Sequence, residues 1–191
     1  MTSLYVYDGG FQGLLTVLQS LREAGEEPEG ILADGRELQG SLLADTVHVA
    51  TDAAKAERLS RDICDLISPG ALRHVFRAFL SEMPGAEYHI HGYLCRGWEL
   101  GADVDARLGD EHVHAVHRMS RCTGREAHRM RGFLRFRQLE GGLLYAPMEP
   151  ECDVLCLVSR YFLARMGDEE WMIHDLAREQ AAVCSGRRLT L

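Results

Sequence analysis

The sequence predicts an α+β fold, helix-rich over the N-terminal two-thirds with a small mostly antiparallel sheet, and β-rich over the C-terminal third. Three observations lead there. Apolar residues recur at helical spacing in successive segments to about residue 130. Beyond residue 132 the period becomes two, with Phe133-Leu134-Arg135-Phe136-Arg137 and Leu143-Leu144-Tyr145-Ala146 on either side of Glu140-Gly141-Gly142. Finally, 46% hydrophobic and 26% charged residues in a chain of 191 suit a protein that buries a core. The length fits a single domain, 1–191, with a helical insert over about 51–131.

Each element has its own reason. Leu4-Tyr5-Val6-Tyr7 is a short β-rich run stopped by Asp8-Gly9-Gly10. Phe11, Leu14, Leu15, Leu18 and Leu21 then mark an amphipathic helix ending near Gly25. Residues 31–45 read as weakly structured, and Val47-His48-Val49 as a second strand. Thr51 or Asp52 can cap a helix to about Ile67, because a side-chain oxygen there accepts an orphan backbone N–H. Ser68-Pro69 opens the next helix, with proline in the first turn, where a missing N–H costs little. Pro84-Gly85 precedes a helix over about 86–100, and Gly101 is a fitting stop. Asp110 opens a long helix to about Met130. The hairpin follows, then a helix begun by Pro150 and Asp153, a strand Trp171–His174 with Gln180–Val183 as its partner, and a frayed tail from Ser185 to Arg188.

Some function classes drop out early. No run approaches the ~20 apolar residues of a membrane helix. The first residues lack a basic region followed by a long apolar one, so no secretory signal is read and a cytoplasmic location is the default. The six cysteines, 64, 95, 122, 152, 156 and 184, then read as reduced thiols. The net charge of −8 argues against a uniformly basic nucleic-acid coat.

Charge is unevenly distributed. Residues 112–137 hold seven arginines (Arg118, Arg121, Arg125, Arg129, Arg131, Arg135, Arg137) against one acid, Glu126, so this stretch nets +6 and the rest of the chain −14. At about 100° per residue, Arg118, Arg121, Arg125 and Arg129 fall within an arc of roughly 80°. Val113, Val116, Met119, Ala127 and Met130 occupy the opposite side. One face would pack on the core while the other presents guanidinium groups about one turn apart, a spacing suited to tracking phosphates. Period-two alternation would put Arg135 and Arg137 on one strand face with Phe133, and arginine beside an aromatic ring is the pairing that holds single-stranded bases. The alternative is a solvated face neutralised by the acidic N-terminal third.

Glu126-Ala127-His128-Arg129-Met130-Arg131-Gly132-Phe133-Leu134-Arg135-Phe136, with Tyr7-Asp8-Gly9-Gly10-Phe11-Gln12-Gly13-Leu14-Leu15, resembles a bacterial family of DNA-metabolism proteins. Tyr145-Ala146, Pro150, Phe162, Arg165, Ile173-His174-Asp175 and Arg178 extend the likeness over most of the chain. Two departures stand out: Gly10 and Gln12 replace a serine and a glutamate usual in the family, and Tyr161 replaces a histidine. The resemblance implies a DNA-repair or DNA-modification accessory that accompanies a radical-SAM protein, or is fused to a uracil-DNA-glycosylase-like domain.

Two polar clusters are candidates for catalysis. Glu126 and His128 close the basic helix, and His174, Asp175 and Arg178 follow a strand. Histidine can exchange a proton near neutral pH, but Glu126 and His128 are two residues apart and converge only if the helix ends there. For the second cluster, an Arg178–Asp175 pair holding a turn is an equal alternative. His89, His91 and Cys95 with His112, His114 and His117 would suit zinc if their two helices pack side by side. Isolated ligands on helices usually satisfy local packing, so no metal and no cofactor is assigned. Cys152-x-x-x-Cys156-x-x-Ser159 has the outline of a radical-SAM cluster motif but lacks the third thiolate. The leading expectation is a DNA-binding accessory protein using Arg118, Arg121, Arg125, Arg129, Arg131, Phe133, Arg135, Phe136 and Arg137. An enzyme acting on nucleic acid and a protein–protein adaptor remain as alternatives.

Overall fold

The structure is a computed structural model that describes residues 3–35 and 45–191. Its elements run in chain order: β1 (Ser3–Tyr7), α1 (Phe11–Ala24), β2 (Gly30–Ala33), β3 (Asp45–His48), α2 (Ala53–Asp62), α3 (Pro69–Phe79), α4 (Ala86–Leu100), α5 (Glu111–Phe133), β4 (Arg137–Gln138), β5 (Leu144–Met148), α6 (Leu155–Met166), β6 (Trp171–Asp175), β7 (Gln180–Ser185) and β8 (Arg188–Thr190). The fold is α+β, with strands concentrated toward the C-terminus. The chain forms two compact units, Met1–Phe79 with Met83–Ser120, and Leu80–Glu82 with Arg121–Leu191.

In the first unit β1 lies between β2 and β3, and both pairings are parallel. The core joins Tyr5 and Tyr7 of β1 to Leu14, Leu15, Leu18 and Leu21 of α1, and to Leu59, Val75, Ile90, Tyr93, Val113 and Val116. The helix starts are made by the residues that the sequence singles out. Asp52 accepts from the backbone of Ala54 and Lys55, Ser68 Oγ from Ala71, and Asp110 from His112 and Val113. A π-helical turn at Ile63–Ile67 completes the segment after α2.

The Asp8-Gly9-Gly10-Phe11-Gln12-Gly13 segment joins β1 to α1. Asp8 accepts from the Gly10 backbone at 2.9 Å and from the Thr51 hydroxyl at 2.6 Å. These two bonds hold its carboxyl below the ordinary carboxylate range. A Cβ on Gly13 would stand 2.2 Å from Asp8 Oδ1, so this position needs glycine to admit the carboxylate.

In the second unit the order is β4-β5-β6-β7-β8, antiparallel throughout except for the parallel pair β5–β6. That pair flanks α6 in sequence, as a parallel connection requires. Trp171, Ile173, Ala146, Ala182 and Cys184 pack with Val158 and Phe162 of α6. All six cysteines are free thiols. Among the described residues no helix is long and apolar enough to cross a membrane.

The structure departs from the sequence reading in four places. The N-terminal sheet is parallel, because the strands follow one another through α1 and longer connections rather than tight hairpins. Within the 31–45 stretch, β2 is ordered beside β1, and 36–44 lie outside the described residues. The strand expected from Phe133 is helix at Phe133 and becomes strand only at Arg137. The tail does not fray: Gly186 and Arg187, at φ 55° and 62°, make a tight turn that returns β8 against β7.

Candidate nucleic-acid interface

α5 carries the basic stripe. Val113, Val116, Met119, Ala127 and Met130 are buried, as the helical period predicts. Arg118, Arg121, Arg125, His128 and Arg129 are exposed on the other side. Because the helix continues to Phe133, this residue falls one turn beyond Arg129, within about 40° of it on the same face. Its side chain is 68% exposed, the most open aromatic ring among the described residues.

The arginines differ in what holds them. Arg118, Arg121 and Arg125 have no carboxylate partner among the described residues. Within the N-terminal third, Asp62 pairs with Arg22, and Glu23 with Lys55 and Arg58. Arg129 is bound by Glu126 at 2.8 Å and reaches Glu151 at 3.8 Å. Arg131 is half-buried, donates to the Leu157 carbonyl and lies 5.1 Å from the Tyr161 ring centre. Arg135 donates to the Gly132 and Leu134 carbonyls. Arg137 stacks at 5.1 Å over Tyr145, not beside Phe133. Phe136 faces inward, in edge contact with Phe162 and Trp171.

The candidate catalytic groups are held mainly by structural bonds. Glu126 is buried and accepts from Arg129 and from the Glu151 backbone, tying the helix to the chain ahead of α6. His128 is exposed on the opposite side of the helix, so the two are not brought together. Asp175 is fully buried and accepts from the backbone of Ala177 and Arg178, closing the turn after β6. Arg178 bonds Asp175, Glu82 and the carbonyls of Pro150 and Glu151. His174 instead pairs with the Tyr145 hydroxyl at 3.1 Å.

α4 and α5 do approach closely. The His112 ring occupies the space above Gly92, where a Cβ would come within 2.4 Å. The zinc set considered from spacing nevertheless divides into separate groups. His89 meets His112 at 3.3 Å, His91 meets Cys95 at 3.7 Å, and His114 is exposed. Burial pushes the Cys95 thiol up, which disfavours the thiolate a metal needs. His117 turns away from both pairs, to Asp105 at 2.9 Å and to the ring of His74. His74 and Asp105 carry no signal in spacing, since they come from separate elements.

The family described as a domain of unknown function, DUF4130, matches residues 84–189, just over half of the chain. No curated protein and no solved structure matches the chain.

Proposed function

We propose, taking as premise that this chain belongs to the DUF4130 family, that it binds nucleic acid along the exposed face of α5. Arg118, Arg121 and Arg125 would contact successive phosphates, and Phe133, one turn past Arg129, would stack on an unpaired base. The carrying observation is that three exposed guanidinium groups on one helix face lack a carboxylate partner among the described residues. Unpaired arginine presents its full fork to a phosphate, and an aromatic ring at the end of such a row favours single strands. Arg137 on Tyr145 offers a second Arg–aromatic platform. The likeness to DNA-metabolism proteins supports DNA as the nucleic acid and supports an accessory role beside a radical-SAM partner in the cytoplasm.

The test is anisotropy with labelled single-stranded and duplex DNA. Replacing Arg118, Arg121 and Arg125 together by alanine should weaken binding about tenfold or more at low salt. Phe133→Ala should weaken single-strand binding more than duplex binding, by about 1–3 kcal/mol on the single strand. Binding of the triple variant equal to wild type would overturn the proposal.

A further inference from the structure

Within the first unit, three residues from separate elements meet: His74 on α3, Asp105 in the 3-10 turn Gly101–Ala106, and His117 on α5. One ligand atom from each lies within 4.8 Å of the other two. We propose that these three side chains bind one divalent transition-metal ion of the zinc class, with a water or ligand oxygen completing its coordination.

The donor set fits that class. Two imidazole nitrogens and one carboxylate oxygen suit zinc and its first-row neighbours, whereas magnesium and calcium favour all-oxygen sites. Three protein ligands are the count that leaves a coordination position open. Ligand atoms around tetrahedral zinc stand about 3.3 Å apart, given bonds of ~2.0 Å. His117 Nε2 and Asp105 Oδ1 are already 2.9 Å apart, and the His74 ligand atom lies within 4.8 Å of both.

The surroundings have the character of a second coordination shell. His74 Nδ1 is 3.0 Å from the buried Ser120 hydroxyl. In the tautomer that donates Nδ1–H to Ser120, Nε2 keeps its lone pair for a metal. The Tyr93 hydroxyl, on a fully buried side chain, donates to Asp105 Oδ1 at 2.8 Å and fixes the carboxylate. Burial of that hydroxyl, with Asp105 as acceptor, pushes its pKa up, so it stays a donor.

A plain histidine–aspartate hydrogen bond explains less. It would account for His117 and Asp105 but assign nothing to His74, whose ring lies 4.5 Å centre to centre from that of His117. A cation shared by both rings turns this crowding into coordination. The side chains of His117 and Asp105 are 14% and 31% exposed, which leaves an ion a path from solvent. This is the one group of three such side chains among the described residues.

The test is Co2+ titration of the chelator-stripped full chain, followed by visible absorption and by equilibrium dialysis, with Zn2+ as competitor. The expected result is one ion per chain, displaced by Zn2+. His74→Gln and Asp105→Asn should each weaken binding tenfold or more, while His89→Gln and His91→Gln leave it unchanged. If the His74 and Asp105 variants do not fold, imidazole NMR of the wild-type chain decides, with Zn2+ shifting the His74 and His117 rings and not His89 or His91. No stoichiometric binding overturns the proposal, as does binding that survives His74→Gln, or binding abolished in the His89 or His91 variant alone.

Discussion

Two halves of one basic stretch differ in what surrounds their guanidinium groups. From Arg118 to Arg125 the arginines face solvent without a carboxylate partner among the described residues. From Arg129 to Arg135 each guanidinium is engaged: by Glu126 and Glu151, by the Leu157 carbonyl and Tyr161, or by carbonyls of its own turn. A run of like charge therefore does not act as one surface. The second half adjoins the sheet of its unit, where acceptors are close. The first half faces away from buried Val116 and Met119 and has no carboxylate partner among the described residues. The contrast separates arginines that hold the fold from arginines that remain available to a ligand.

The largest expected effect falls on the engaged half. Glu126→Ala removes a buried carboxylate that accepts from Arg129 and from the Glu151 backbone, and should cost about 2 kcal/mol in a urea titration. Arg131→Ala removes a hydrogen bond to the Leu157 carbonyl and a cation on the Tyr161 ring, and should cost about 1 kcal/mol. A cost near zero for both would remove the distinction between the halves.

A smaller effect depends on pH. Burial pushes the Asp153 carboxyl up, against the pull of Arg178. With its folded value above the unfolded one, this group favours the fold below about pH 4 and loses that contribution as pH rises through the folded value. The Tm difference between Asp153→Asn and wild type should therefore become more favourable to the variant from about pH 4 upward. A flat difference would contradict the assignment. Smallest of all, the triple Arg118/Arg121/Arg125→Ala variant should unfold within about 0.5 kcal/mol of wild type. A larger loss would mean that these arginines are structural too.

The helices were the most legible part of the sequence, because their ends are written in local chemistry. Asp52, Pro69, Gly101 and Asp110 mark starts and stops that the structure keeps. The burial of residues 133–137 was also legible. Leu134 is buried and Phe136 half-buried, between exposed Phe133, Arg135 and Arg137. The backbone beneath that alternation was not, since the Leu134 amide still bonds the Met130 carbonyl in helical fashion. Gly186 and Arg187 read in sequence as a frayed end, because two positive φ values make a hairpin turn only when a partner strand is present. The exposed face of α5 followed from periodicity. Which arginines on it are free did not, because the acids beside Arg129 include Glu151, a neighbour set by the tertiary fold. The His74–Asp105–His117 group was hidden for the same reason, since no local pattern unites its three elements.

The salt dependence of DNA binding compares the two halves most directly. Log affinity against log salt should flatten by about 2–3 units when Arg118, Arg121 and Arg125 become alanine, roughly 0.7–0.9 for each phosphate no longer neutralised. Replacing Arg129 and Arg131 by glutamine should change the slope by less than about 0.9, the equivalent of one phosphate. Equal slopes for wild type and the triple variant, or a greater flattening from Arg129 and Arg131, would contradict the account.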